Sequence, residues 1–275
     1  LEGAGSEENP YKISSIDDLE RIKTLVESGY SLQGLHFALQ NDIELPSDWE
    51  PIGRLISESS KEDPEELGKN VYPFSRIFDG KDASGKVHKV TVAKPGKPLF
   101  NYVREAEIRN LEIYGEQIDG YGLVDKYFVD YGTDGKYNTG CPQAVTIENV
   151  VLKEGSKVLK SGFIGGYASG ANTVYITNCT VEPDVEIGYD GTQSNIGSFA
   201  GDFNGYITNC VSYATVKGED AVGGIVGAKG QSMGPCNITN SEFYGTVSAS
   251  GQLAGGILGS GYRGKSAPLT PVASV

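Results

Sequence analysis

Carboxylates and tyrosines are the residues of this 275-residue chain with the most chemistry to offer, and they cluster in two places. Between residues 114 and 141, Tyr121, Tyr127, Phe128, Tyr131 and Tyr137 interleave with Asp125, Asp130 and Asp134. Exposed tyrosine supplies rigid contact area with a polar tip, suited to sugars or protein surfaces. Close carboxylates suit calcium, which takes several oxygen ligands, although the spacing from Asp130 to Asn138 is not that of an EF-hand loop. The plain structural reading instead packs these tyrosines onto the body of the protein. The second cluster is Asp184, Glu186, Asp190 and Asp202. Cleaving a polysaccharide by acid–base chemistry needs two carboxylates in different environments. Asp184, Glu186 and Asp190, or Asp125 and Asp130, are the candidates, and the sequence near the second cluster offers it no basic partners.

Other chemistries find little to work with. Cys141, Cys179, Cys210 and Cys236 form no C-x-x-C pair, and with only His36 and His88 a zinc site is not expected. His36 reads as a structural histidine. The glycine pairs precede no helix, so they do not make a nucleotide loop. No cofactor is therefore expected, calcium being the one alternative kept open.

What must position these residues is a repeat. Ile108-Arg-Asn110, Ile147-Glu-Asn149, Ile176-Thr-Asn178, Ile207-Thr-Asn209 and Ile238-Thr-Asn240 recur at offsets of 39, 29, 31 and 31 residues. Each unit also carries a glycine-framed apolar run: Gly162–Gly166, Gly197–Gly201, Gly223–Gly227 and Gly255–Gly259. A third short run, Tyr213–Val216 or Tyr244–Val247, lies between the two landmarks. Three short alternating strands per unit, at a fixed period, are the signature of a stacked architecture. Equivalent strands then lie about 4.8 Å apart in parallel sheets, isoleucine over isoleucine. Asn110, Asn149, Asn178, Asn209 and Asn240 are expected as a buried structural ladder at a bend, each amide bonded to the next. The expected fold is all-β: a right-handed parallel β-helix, the hand following from the preference of parallel crossovers. Cys179 and Cys210 share a phase, and a spacing of about 4.8 Å favours stacked thiols over the alternative of a disulfide, which wants roughly 3.8 Å between Cβ atoms.

Residues 207–227 and 238–259 resemble the GLUG repeat, and residues 147–201 resemble it with a longer, more acidic middle. The segment from Asn9 through Trp49-Glu-Pro-Ile-Gly53 and Phe78-Asp-Gly80 resembles the region that precedes such repeats. The resemblance spans most of residues 9–262. It implies a module of a large bacterial surface protein, including those similar to IgA peptidases, located outside the cell, with further domains in the same precursor. It implies no defined activity.

The remaining chain fits this frame. Residues 1–8 are expected to fray, and residues 16–28 to form an amphipathic helix with Ile16, Leu19, Ile22, Leu25 and Val26 on one stripe, plugging the first coil. Residues 9–262 form one domain, residues 57–70 a solvated loop, and residues 263–275 a tail or linker. Leu1 and the abrupt end suggest a piece of a longer precursor. The repeat of 39 residues holds about eight more than the units of 31, and such insertions map to loops that carry function disproportionately. A net charge of −13 argues against nucleic acid or anionic membrane as partners. The expected function is a non-catalytic surface module that binds a host or matrix glycan or protein. A carbohydrate-active enzyme and an inert spacer are the alternatives.

Overall fold

The computed structural model describes residues 1–30, 32, 34–55, 71–128, 145–165, 174–230 and 235–261. Among them the chain is all-β apart from one helix, Ile16–Glu27. The repeat is visible as register. Ile108 pairs with Ile147, Ile147 with Ile176, Ile176 with Ile207 and Ile207 with Ile238, every pair parallel. The first four of these isoleucines are fully buried. A second parallel column runs Val158–Ile187–Val216–Val247, and a third runs Ile196–Val222–Ala254 beside Ala200–Val226–Leu258. Parallel columns of this kind are compatible with a β-helix. Aromatic rings fill the early units, with Phe74 and Phe100 at 4.9 Å between centroids, and Phe163 stacks on Phe199 at 5.2 Å further on.

Close approach explains the glycine frames. A Cβ on Gly162 would lie 1.9 Å from the Ser198 carbonyl oxygen, and one on Gly224 would lie 2.0 Å from that of Gly256. No larger residue fits there without moving a backbone.

Two links of the asparagine ladder form, and the column is not buried, which corrects the expectation. Asn149, Asn178, Asn209 and Asn240 are exposed and Asn110 is half-buried. All five adopt φ between 47° and 55°, the left-handed region that asparagine tolerates better than other side chains. That residue resets the alternation. Ile147 and Val150, three apart, both point inward, as do Ile207 and Cys210. In an uninterrupted strand residues three apart face opposite sides, so the left-handed residue turns the chain and keeps both arms facing the core. Its amide is therefore pushed to the outside. Asn149 Nδ2 donates to Asn110 Oδ1 at 3.2 Å, and Asn209 Nδ2 to Asn178 Oδ1 at 3.3 Å.

The residue after each bend has a job the sequence did not suggest. The Val150 N–H meets Cys179 Sγ at 3.5 Å, the Cys179 N–H meets Cys210 Sγ at 3.4 Å, and the Cys210 N–H meets Ser241 Oγ at 3.1 Å. Cys179 and Cys210 are free thiols, and burial holds the Cys179 thiol well above its ordinary value. Their sulfurs serve as acceptors for backbone N–H groups that the bend takes out of the ladder.

The helix ends one residue earlier than expected, with Ser28 as its C-cap and Gly29 in the left-handed conformation after it. Leu19, Ile22 and Val26 are its buried stripe. Residues 1–8, expected to fray, are tied down: Glu2 bridges Lys12 in antiparallel sense and the Gly5 carbonyl accepts the His36 N–H. The long repeat is also divided differently. Ile118 bridges Val158, and Val124–Phe128 pairs in parallel with Phe100–Arg104. Residues 114–128 thus belong to the stack. The remainder of the proposed insert, with Asp130, Tyr131, Asp134, Tyr137 and Cys141, lies outside the described residues, as do all of residues 57–70 and 263–275.

Candidate binding face

Two of the expected insert residues can be placed fully, and they are not exposed ligands. Tyr121 is half-buried, with its ring over the backbone at Gly165 and the Lys160 ammonium 5.1 Å from its centroid. Asp125 lies in the strand Val124–Phe128, where burial pushes its carboxyl up against the opposing pull of Lys126 and Lys160. Tyr127 lies in the same strand, and nothing is described of its side chain. For Tyr121 and Asp125 the plain reading holds: they pack on the stack.

The second acidic cluster does not converge. Asp190 caps its own turn, accepting from the Thr192 N–H at 3.0 Å and its hydroxyl at 2.7 Å. Asp184 is itself at a left-handed bend, φ 56°. Asp202 lies in a different sheet, in Ala200–Phe203. Glu186 overturns the expectation that basic partners are missing. Lys157 Nζ lies 2.7 Å from one of its oxygens and Lys217 Nζ 2.8 Å from the other. These two ammoniums, on the preceding and following units, hold the Glu186 carboxyl below its ordinary value. A carboxylate kept ionised between two lysines is a rung of the stack and a poor proton donor. Among the described residues no group of three or more His, Cys, Asp or Glu is placed to hold a metal ion.

What the geometry does assemble was not singled out in the sequence. The outward positions on either side of the buried isoleucine column form a three-by-three array: Tyr175, Thr177, Asn178; Tyr206, Thr208, Asn209; Asn237, Thr239, Asn240. Every member is neutral, in a chain with net charge −13. Tyr175 and Tyr206 stack at 5.3 Å with their planes 8° apart. The Thr208 and Thr239 hydroxyls share a hydrogen bond at 3.2 Å. Tyr175, Asn178, Asn209, Asn237, Thr239 and Asn240 are exposed and the other three half-buried. The next arm continues the pattern with Tyr213 and Tyr244, stacked at 5.4 Å and 42% and 62% exposed. The signal was present as Tyr-Ile-Thr-Asn at 175 and 206 and Asn-Ile-Thr-Asn at 237. It requires reading the residues between the buried ones.

On the two units before the array three of the six equivalent positions, Glu107, Arg109 and Glu148, are charged. Arg109 bonds Asp79 at 2.7 Å and Glu107 at 2.6 Å, and Glu148 follows Arg109 in register. The sheet therefore has an ion-paired half and a neutral half.

A buried histidine is the other site missed by sequence. His88 is 2% exposed, with Nε2 2.9 Å from Asp82 and Nδ1 3.3 Å from Asp42. Asp82 also accepts from the Ser84 hydroxyl and from the Ser84 and Lys86 N–H groups. Those bonds, led by the Ser84 hydroxyl and then His88, hold its carboxyl far below the ordinary value. The Asp82 carboxylate is saturated by its own turn and by His88.

No protein-family model matches the chain and no curated protein matches it. In structure it is similar to a protein from Bacteroides ovatus provisionally assigned as an immunoglobulin A1 protease. The TM-score is 0.59, at 18% sequence identity, over 93% of this chain and 72% of that one. No described helix is long and apolar enough to cross a membrane. At that identity the likeness speaks to fold alone.

Proposed function

We propose that the chain is a right-handed parallel β-helix of GLUG-type units, acting at a bacterial cell surface as a non-catalytic module that binds a host or matrix glycan or protein. The observation that carries this is the neutral array around Tyr175 and Tyr206, continued by Tyr213 and Tyr244. Rigid aromatic edges, hydroxyls and amides, on a scaffold that holds them in register, suit recognition of a surface rich in hydroxyl or amide groups. The parallel register supports the coil, and the hand follows from the crossover preference. The similarity to an IgA1-protease-like protein of a Bacteroides species agrees with a surface setting. The polysaccharide-cleaving alternative loses its best carboxylate to Lys157 and Lys217.

The test is binding to a glycan and matrix-protein array, with Tyr175→Ala/Tyr206→Ala beside the parent. The double variant is expected to lose binding by about tenfold or more, while stability shifts by roughly 1 kcal/mol or less, the scale of an exposed cross-strand pair. Binding that survives the double change, or no binding by the parent, sinks the reading and leaves a spacer.

A further inference from the structure

The two ends of the stack differ. At the N-terminal end the helix Ile16–Glu27 buries Leu19, Ile22 and Val26, and Glu2 occupies the outer edge of Tyr11–Ile13. At the C-terminal end five described strands, Cys236–Thr239, Glu242–Phe243, Thr246–Ala249, Ala254–Gly255 and Leu258–Ser260, are each the last of their row. Ile238, Val247, Ile257 and Leu258 are half-buried there, whereas their counterparts Ile207, Val216, Ile225 and Val226 are fully buried.

We propose that this C-terminal face is a docking surface for one further coil of the same repeat, entering in parallel register. The inference rests on the coil reading above, and it concerns an end of the stack and not the tyrosine face. Continuity of an interface already present between neighbouring units argues for that occupant. In the last two junctions the Asn N–H donates to the carbonyl of a threonine one unit on, Asn178 to Thr208 and Asn209 to Thr239. The N–H of the residue after the bend meets a side-chain acceptor at the same phase of the following unit, Cys179 to Cys210 and Cys210 to Ser241. Among the described residues the same two N–H groups of Asn240 and Ser241 meet no following unit. They specify a partner strand with a carbonyl opposite Asn240 and a Ser or Cys opposite Ser241. A second copy of this chain does not supply it in parallel, because its N-terminal edge is closed by the helix and by Glu2. An edge of this kind is the template for strand addition.

The glycine column gives an independent readout. A Cβ on Gly224 would collide with the Gly256 carbonyl of the next unit, 2.0 Å away, whereas a Cβ on Gly256 meets nothing within 4 Å. Occupation of the face would convert Gly256 into a second Gly224.

The experiment inserts a copy of residues 231–261, one 31-residue period, between Gly261 and Tyr262 of the full chain. Amide exchange of Asn240 and Ser241 is then followed by NMR in the parent and extended chains, with sedimentation at two concentrations. The expected result is fast exchange in a monomeric parent and slowing of roughly tenfold or more in the extended chain. Gly256→Ala is expected to be harmless in the parent and destabilising after extension. Unchanged exchange in a folded extended chain overturns the proposal. So does slow exchange in the parent. If cutting at Gly261 then releases the two amides, residues 262–275 are the occupant; if dilution releases them, it is a second copy. Should the extended chain fail to fold, the parent still decides, since amides already protected there mean a face already covered.

Discussion

At the residue scale, the asparagine column shows how backbone conformation decides identity. Asn209 is exposed and gives up no core area on replacement, so a burial count assigns it nothing. Its φ of 55° is what matters. Left-handed backbone costs an ordinary L-residue roughly 1–2 kcal/mol, and the amide bond to Asn178 adds a smaller amount. Asn209→Ala is expected to destabilise by about 2 kcal/mol and Asn209→Gly by less, since glycine meets the φ requirement and loses only the amide. Urea midpoints of the two variants check the order, and an alanine variant as stable as the glycine one would contradict it. The clamp at His88 yields a pH prediction. Both ring nitrogens face carboxylates, so only the imidazolium donates to Asp42 and Asp82 together. The carboxyls of Asp82 and Asp42 both lie below the 3.8 of an unperturbed aspartate, Asp42 chiefly through the Lys89 N–H. Groups depressed on folding contribute stability that is present above the unfolded value and drains as pH falls below it. Between pH 5 and pH 2 the parent is expected to lose more stability than Asp82→Ala. Parallel acid profiles for the two, measured by urea midpoints, would remove the clamp from the account.

At the scale of elements, the stack stands on close approach at one phase of each unit. Gly224→Ala places a methyl on the Gly256 carbonyl and against the Phe243 ring, 2.6 Å from its nearest atom. Overpacking of this kind typically costs about 1–3 kcal/mol, whereas Gly256→Ala, with open space before it, is expected to cost next to nothing. Equal thermal midpoints for the two variants would mean the units are not spaced as described. The period, the isoleucine column and the glycine frames were all readable in the chain, because buried positions repeat their chemistry every 29–39 residues. What was not readable has physical reasons. Period-two alternation does not reveal a left-handed residue that resets the phase, so the asparagines looked buried. Composition suggested a loop at 114–141, but Val124 sits in register with Phe100 and Ile164, and tyrosine is at home in a strand. The partners of Glu186 lie 29 residues before it and 31 after. They become visible only when the period found in the isoleucines is applied to the charges as well.

At the scale of the whole molecule, charge is distributed by face as well as by unit. Ion pairs around Arg109 and Lys153 brace the earlier units and Lys157–Glu186–Lys217 braces the neighbouring column of the array's own units, while the nine outward positions of the array carry none. Net charge of −13 surrounds that neutral region with a negative field, which repels anionic surfaces and leaves an uncharged ligand untouched. The two modes of binding are separable by salt. At physiological ionic strength the screening length is about 8 Å, and at 1 M it is about 3 Å, so attraction to the acidic surface would weaken steeply across that range. Recognition by aromatic edges, hydroxyls and amides involves no net charge and draws little on long-range attraction. Any ligand found for the parent chain is therefore expected to bind with an affinity that changes by about twofold or less between 0.1 and 1 M sodium chloride. Loss on Tyr175→Ala/Tyr206→Ala should be equal at both concentrations. A steep fall with salt would move the contact off the neutral array and onto the carboxylates around it, and the tyrosine pairs would then be braces of the stack like the lysine–glutamate rungs beside them.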